Sequence, residues 1–135
     1  ETAVLGRMLA QGLNAPVCTS AGRLFDAAGA LLGVCAANRF EGQAPLQLEA
    51  AAGREPLAGE ALPFPVRPCA DGSAVLEVDW EPAFLRLLEA PGPAAATAAA
   101  FHRGLAAAIA DVARAAGAGR VALSGGCFQN ARLHD

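Results

Sequence analysis

Residues 121–130 read VALSGGCFQN. The short apolar run Arg120 to Leu123 enters Ser124-Gly125-Gly126, and the chain resumes at Cys127. This predicts a buried strand, a tight glycine turn and a new helix from Cys127 onward. Upstream, Phe101, Leu105, Ile109, Val112 and Ala116 recur at steps of four, four, three and four, which predicts one long helix over 95–116. Gly117-Ala118-Gly119 stops it. Helix, strand, glycine turn and helix in that order make a parallel βα unit and point to an α/β fold.

The rest of the chain is mostly helical in pattern. Val4, Leu5, Met8, Leu9 and Leu13 predict a helix over 2–13 that ends at Asn14-Ala15-Pro16. Thr19 or Ser20 can cap a second helix with the apolar face Leu24, Phe25, Ala28, Leu31, Leu32 and Cys35. A third helix runs from Ala44 to Ala52, with Glu41 near its start and Gly53 as its stop. Residues 62–80 change character: prolines at 63, 65 and 68, an Asp71-Gly72 turn signal and partial alternation from Val75 to Trp80 predict an inserted β-hairpin. A short helix follows over Pro82–Glu89.

Composition narrows the classes. The chain has 135 residues, 54% of them hydrophobic, and a net charge of −3, which argues against a nucleic-acid surface. No apolar run reaches the about 18 residues of a membrane span, and the start lacks the pattern of a signal peptide. The four cysteines show no CxxC pairing, so they read as reduced thiols in a cytoplasmic protein rather than zinc ligands. The first residue already lies in helical sequence, and CFQNARLHD stops one or two turns into a helix. The expectation is a fragment of a longer protein.

Two turns have the chemistry to hold an anion or a sugar. Gly125-Gly126 opens a helix, where unpaired N–H groups and the helix dipole favour negative charge, with Ser124 before it and the Asn130 amide close by. The plain alternative is a tight turn with no ligand. In TSAGRLFDA, residues 19–27, Gly22 lies in a first helical turn and Asp26 one turn further on the same face, where a carboxylate can hold ribose hydroxyls. The plain alternative is a serine cap and an acid favoured by the dipole. Arg23 suits an anion or Asp26, and Glu41 suits a helix start or a ligand. His102 reads as a packed or solvated histidine. Cys127 reads as a small buried residue or a thiol activated by a helix start. No histidine pairing or nucleophile–base arrangement is visible.

NAPVCTSAGRLFDAAGALLGVC, EGQAPLQLEAAA and FHRGLAAAIADVARAAGAGRVALSGGCFQN together resemble the C-terminal part of the HypF family, the carbamoyltransferases of nickel–iron hydrogenase maturation. The resemblance covers nearly the whole chain and is weakest from about Gly53 to Pro93. It implies the second lobe of a domain shared with the enzymes of tRNA threonylcarbamoyladenosine synthesis, in the actin-like, Hsp70-like (ribonuclease H-like) ATPase fold. In those tRNA-modifying relatives the Gly and Asp of a GEAFD motif and the Asn of an SGGVxxN motif contact the nucleotide. By position these become Gly22, Asp26 and Asn130, with Gly125 and Gly126 forming the turn beside them. Arg23 stands where those relatives have Glu, and Cys18 where Thr or Ser is usual.

The resemblance also implies an activity. The family uses ATP and carbamoyl phosphate to make carbamoyl-adenylate, then passes the carbamoyl group to the C-terminal cysteine of HypE. This lobe would bind the adenylate, with HypE and the remaining HypF domains as partners. The family's metal-binding histidine pair belongs to the first lobe, and no such pair occurs here. Two rivals remain: an O-carbamoyltransferase of the antibiotic-tailoring type, which shares this lobe, and a non-catalytic lobe that only docks another protein.

Overall fold

The computed structural model describes residues 1–56, 58–70, 76–90, 92–117 and 119–134. Among these, the chain order is α1 (Thr2–Ala10), α2 (Ala21–Leu31), α3 (Gln43–Ala52), β1 (Val66–Pro68), β2 (Leu76–Val78), α4 (Glu81–Glu89), α5 (Ala94–Ala115) and α6 (Ala131–His134). A 3₁₀ turn over Gly126–Gln129 precedes α6. The architecture is α/β and helix-rich, with one two-stranded antiparallel sheet. None of the described helices is long and apolar enough to cross a membrane.

Helix α5 is the spine. Its first half buries Ala98, Ala99, Phe101, His102, Gly104 and Leu105. Phe101 has no exposed surface. It takes T-shaped contacts from Phe25 of α2 at 5.2 Å, Phe64 at 5.6 Å and Phe84 of α4 at 6.4 Å between ring centroids. Leu48 and Ala52 of α3 and Leu133 of α6 complete the same core. The periodicity read from the sequence is right for the helix but splits in use. Phe101 and Leu105 enter the core, while Ile109 and Val112 stay half-buried and Ala116 is exposed.

Small residues let neighbours close on the spine and on each other. The segment before β1 crosses α5 where Leu62 N–H donates to Ala100 O at 3.0 Å. At Gly104, directly beneath, a Cβ would stand 2.2 Å from Leu62 O and 2.8 Å from Phe64. On α2, Gly29 is buried against Ala44 of α3, and Leu31, expected on the apolar face, is 45% exposed. The hairpin pairs Val66 with Val78 and Pro68 with Leu76. Asp79 ties it to α4: Oδ2 pairs with Arg67 at 2.7 Å and Oδ1 accepts from Glu81 N–H at 3.0 Å. The Asp71-Gly72 turn and Val75 lie outside the described residues.

Two expectations are corrected. Arg120 to Leu123 is neither a strand nor buried: the described strands, β1 and β2, pair with each other, and Val121 and Leu123 are 52% and 45% exposed beside the α5 face. A strand exists only through a neighbour that takes its backbone hydrogen bonds, so the parallel βα unit is not formed among the described residues. The helix expected from Cys127 begins instead as the 3₁₀ turn and becomes α-helical at Ala131. In addition, α1 buries none of its residues, leaving Val4, Leu5 and Leu9 at least half exposed.

Gly104→Ala is expected to destabilise the protein by about 3 kcal/mol, the upper end of the overpacking range, because the obstacle is a carbonyl rather than a flexible side chain. Gly6→Ala, in open space on α1, should be neutral or stabilising by up to about 1 kcal/mol. Urea unfolding of the two variants measures the contrast, and equal effects would refute the close crossing.

Candidate functional site

Ser20 stands at the N-cap of α2 in an extended conformation but makes no side-chain cap hydrogen bond. The first N–H groups of α2 therefore lack a side-chain acceptor. Gly125 sits at φ +106°, a conformation that favours glycine, and nothing lies within 4 Å of where a Cβ at Gly125 or Gly126 would stand. The turn thus presents bare backbone to open space. Both features border one cavity of about 590 Å³. Ala21 and Phe25 of α2 line it together with Ser124, Gly125, Gly126 and Cys127, opposite Leu105, Ala108, Ile109 and Val112 of α5. Arg120 supplies the cationic side chain in this wall.

The other residues singled out in the sequence lie behind or beside this wall. Gly22 is in the first turn of α2, next to Ala21. Asp26, one turn on, is held from two sides. Asn38 Nδ2 donates to Oδ1 at 2.8 Å, and Arg23 Nη1 lies 2.9 Å from Oδ2 as an ion pair. That pair is close in distance but poorly aligned, since the buried Oδ2 accepts no hydrogen bond. Glu41 is exposed in the turn before α3, away from the cavity. Cys127 is half-buried against the core.

Asn130 faces inward rather than into the cavity. It is 5% exposed, and both ends of its amide are used: Nδ2 donates to His102 Nε2 at 3.0 Å, and Oδ1 accepts from Arg132 N–H at 3.1 Å. His102, 1% exposed, donates from Nδ1 to Ala98 O at 2.7 Å. A carbonyl can only accept, so the proton is assigned to Nδ1 and Nε2 is left as the acceptor. The imidazole is neutral in this arrangement. Burial holds its pKa below the ordinary 6.5, and the Arg132 charge adds to this, against the opposing effects of the Ala98 hydrogen bond and Glu49.

Several of these contacts have no sequence signal. Asn38 joins α2 to α3, since its Oδ1 accepts from Ala44 N–H at 3.1 Å while its Nδ2 holds Asp26. It lies twelve residues from Asp26 in an irregular loop. The His102–Asn130 pair spans 28 residues. His102 was legible as a packed or solvated histidine; the structure packs it at 1% exposure, and its partner had no sequence signal.

Comparison with known proteins decides the family. Residues 1–135 match the family described as "Carbamoyltransferase, Kae1-like Domain, second subdomain". The chain belongs to the HypF carbamoyltransferase family. It is 43% identical over 132 residues to the carbamoyltransferase HypF of Rhodobacter capsulatus, covering 94% of this chain and 16% of that protein. It is 40% identical over 133 residues to the HypF of Rhizobium leguminosarum bv. viciae, again covering 16% of that protein. A HypF homolog of Cupriavidus necator is 40% identical over 139 residues, 34% of its length. The chain therefore spans between about a sixth and a third of these HypF relatives. No solved structure matches it significantly.

The buried histidine sets a pH dependence. Because its folded pKa lies below the unfolded 6.5, the unfolded chain takes up the proton first as pH falls. Its contribution to stability is complete above about pH 6.5 and is lost progressively below it, towards the folded pKa. Tm measured from pH 7.5 to 5.5 should fall in the wild type and fall less steeply in His102→Phe. Parallel slopes would assign the effect to other groups.

Proposed function

We propose that this chain is the second lobe, with residues 62–80 as an inserted hairpin, of a HypF-type carbamoyltransferase domain with the two-lobed, actin-like ATPase architecture. In this reading the cavity between α5, the start of α2 and the Ser124–Gly126 turn receives carbamoyl-adenylate made from ATP and carbamoyl phosphate. The observation that carries it is the meeting of a helix start without a side-chain cap, at α2, and an open glycine turn, at Gly125-Gly126, on one cavity. Backbone N–H groups at a helix start and a glycine turn suit a phosphate, and the apolar wall of α5 suits the flat face of a base.

Residue roles follow from position. Gly125 and Gly126 leave room for the phosphate, with Ser124 and Arg120 beside it. Gly22 and Asp26 lie at the α2 side, where Asp26 must exchange part of its hold on Arg23 and Asn38 to reach a ribose. Asn130 anchors the far end of the turn through His102, and it contacts the nucleotide only by leaving that partner. The protein's contribution to transfer is positioning: the adenylate is held while the C-terminal cysteine thiolate of HypE attacks the carbamoyl carbon and AMP departs. The setting is the cytoplasm, with HypE and the other HypF domains as partners.

The apolar character of the α5 wall favours a second reading, in which the cavity holds a protein segment and no nucleotide. Gly126→Val separates the two. The site has open space around it and no positive φ, so stability should be unchanged. Under the adenylate reading, AMP affinity measured by calorimetry falls about tenfold, a loss of about 1.4 kcal/mol. Unchanged AMP binding by the variant, or none by the wild type, would favour the docking surface.

A further inference from the structure

A second cavity, of about 340 Å³, lies on the other side of α5, bordered by Ala58, Gly59, Ala99, His102, Arg103 and Arg132. Two guanidinium groups therefore face one space. The ion pairs found among the described residues join Arg23 to Asp26, Arg67 to Asp79, Arg86 to Glu60 and Arg114 to Asp111. Neither Arg103 nor Arg132 has a carboxylate partner among them. The neighbouring carboxylates are engaged elsewhere: Glu60 Oε1 takes Arg86, and Glu49 Oε1 accepts from Ala131 N–H at 3.0 Å.

Both arginines are fixed by backbone carbonyls. Arg103 donates from Nε to Glu60 O and from Nη1 to Pro56 O, each at 2.7 Å. Among the described residues Arg132 donates through Nη2, to the carbonyls of Ala52, Gly53 and Glu55. A guanidinium carries five N–H donors. Among the described residues, that leaves the Nη2 group of Arg103, and the Nε and Nη1 groups of Arg132, without a protein acceptor. Carbonyls satisfy donors but do not neutralise charge, so the cavity keeps two positive charges held in place in advance.

We infer that Arg103 and Arg132 form a binding site for a small oxyanion, a phosphoryl or carboxylate group, in this second cavity. Rigid guanidinium pairs without a direct carboxylate partner recognise such groups by charge-assisted, often bidentate hydrogen bonds, and the clamping carbonyls have already met the ordering cost. The site is separate from the cavity proposed for the adenylate: it lies behind His102 and shares no wall residue with it.

The test is a titration of the protein with inorganic phosphate, and separately with acetate, following the Arg Nε–Hε resonances by NMR. Phosphate should give saturable shifts of Arg103 and Arg132. Ala106→Glu, which adds a carboxylate to the wall while leaving the carbonyl clamps intact, should weaken the binding at least fivefold. Saturation by phosphate alone assigns a phosphoryl ligand, and saturation by acetate as well assigns any oxyanion, a peptide C-terminus included. Saturation by neither, or equal binding in Ala106→Glu, overturns the site. Binding of AMP tested with Gly126→Val reads the other cavity, so the two results fail independently.

Discussion

The core of this molecule is arranged around one fully buried ring. Phe101 is fully buried and meets the edges of Phe25, Phe64 and Phe84 from three separate parts of the chain. Truncating such a ring removes about 3–5 kcal/mol, a large share of the stability of a domain this size. The contacts also set positions. Phe64 reaches Phe101 only because Gly104 admits the carbonyl of Leu62, and Phe25 reaches it only because α2 lies close on α3 at Gly29. The aromatic cluster, the glycines and the helix crossings are one constraint expressed three ways.

The next residue carries that constraint to the site. His102 follows Phe101, so its ring is fixed by the same helix turn and packs edge-on to Phe25 and Phe101. Its only acceptor nitrogen is turned to Asn130, and Asn130 in turn takes the N–H of Arg132. The 3₁₀ turn and α6 are thereby hung from the core by one buried hydrogen bond, from Asn130 to His102, and joined to each other by the local Asn130–Arg132 bond. A buried amide of this kind is costly to leave unpaired, which makes the orientation of Asn130 a property of α5 rather than of its own loop. Any ligand that draws Asn130 towards the cavity must compete with a neutral histidine.

The helices were legible because their apolar residues recur every three or four positions, and burial on α5 and α2 obeys that period over most of its length. The strand at 120–123 was not legible in the same way. A run of small apolar residues favours cover but does not supply it, and here Val121 and Leu123 stay exposed, while strand geometry depends on a hydrogen-bonding neighbour that no local pattern specifies. The glycine turn was legible as bare backbone, and Gly125 at positive φ agrees with that reading. Arg103 and Arg132 were silent because their partners are distant carbonyls. A carbonyl has no sequence signature, so a side chain that binds one looks like any surface residue until the chain is folded.

The same logic explains why one helix serves two unlike cavities. An α-helix of 22 residues has more perimeter than this core can cover, so α5 is buried along one stripe and open along two others. On one flank the open stripe is aliphatic, running from Leu105 to Val112, and faces bare backbone donors at the glycine turn. On the other it is small, with Ala99 and Ala106 leaving room for two guanidinium groups. Apolar walls beside unpaired N–H groups favour a ligand with a flat ring and a phosphate, whereas small walls beside fixed cations favour a compact anion. The small side chains of α5, which pack its core face closely at Ala98 to Ala100, also leave the space for the second.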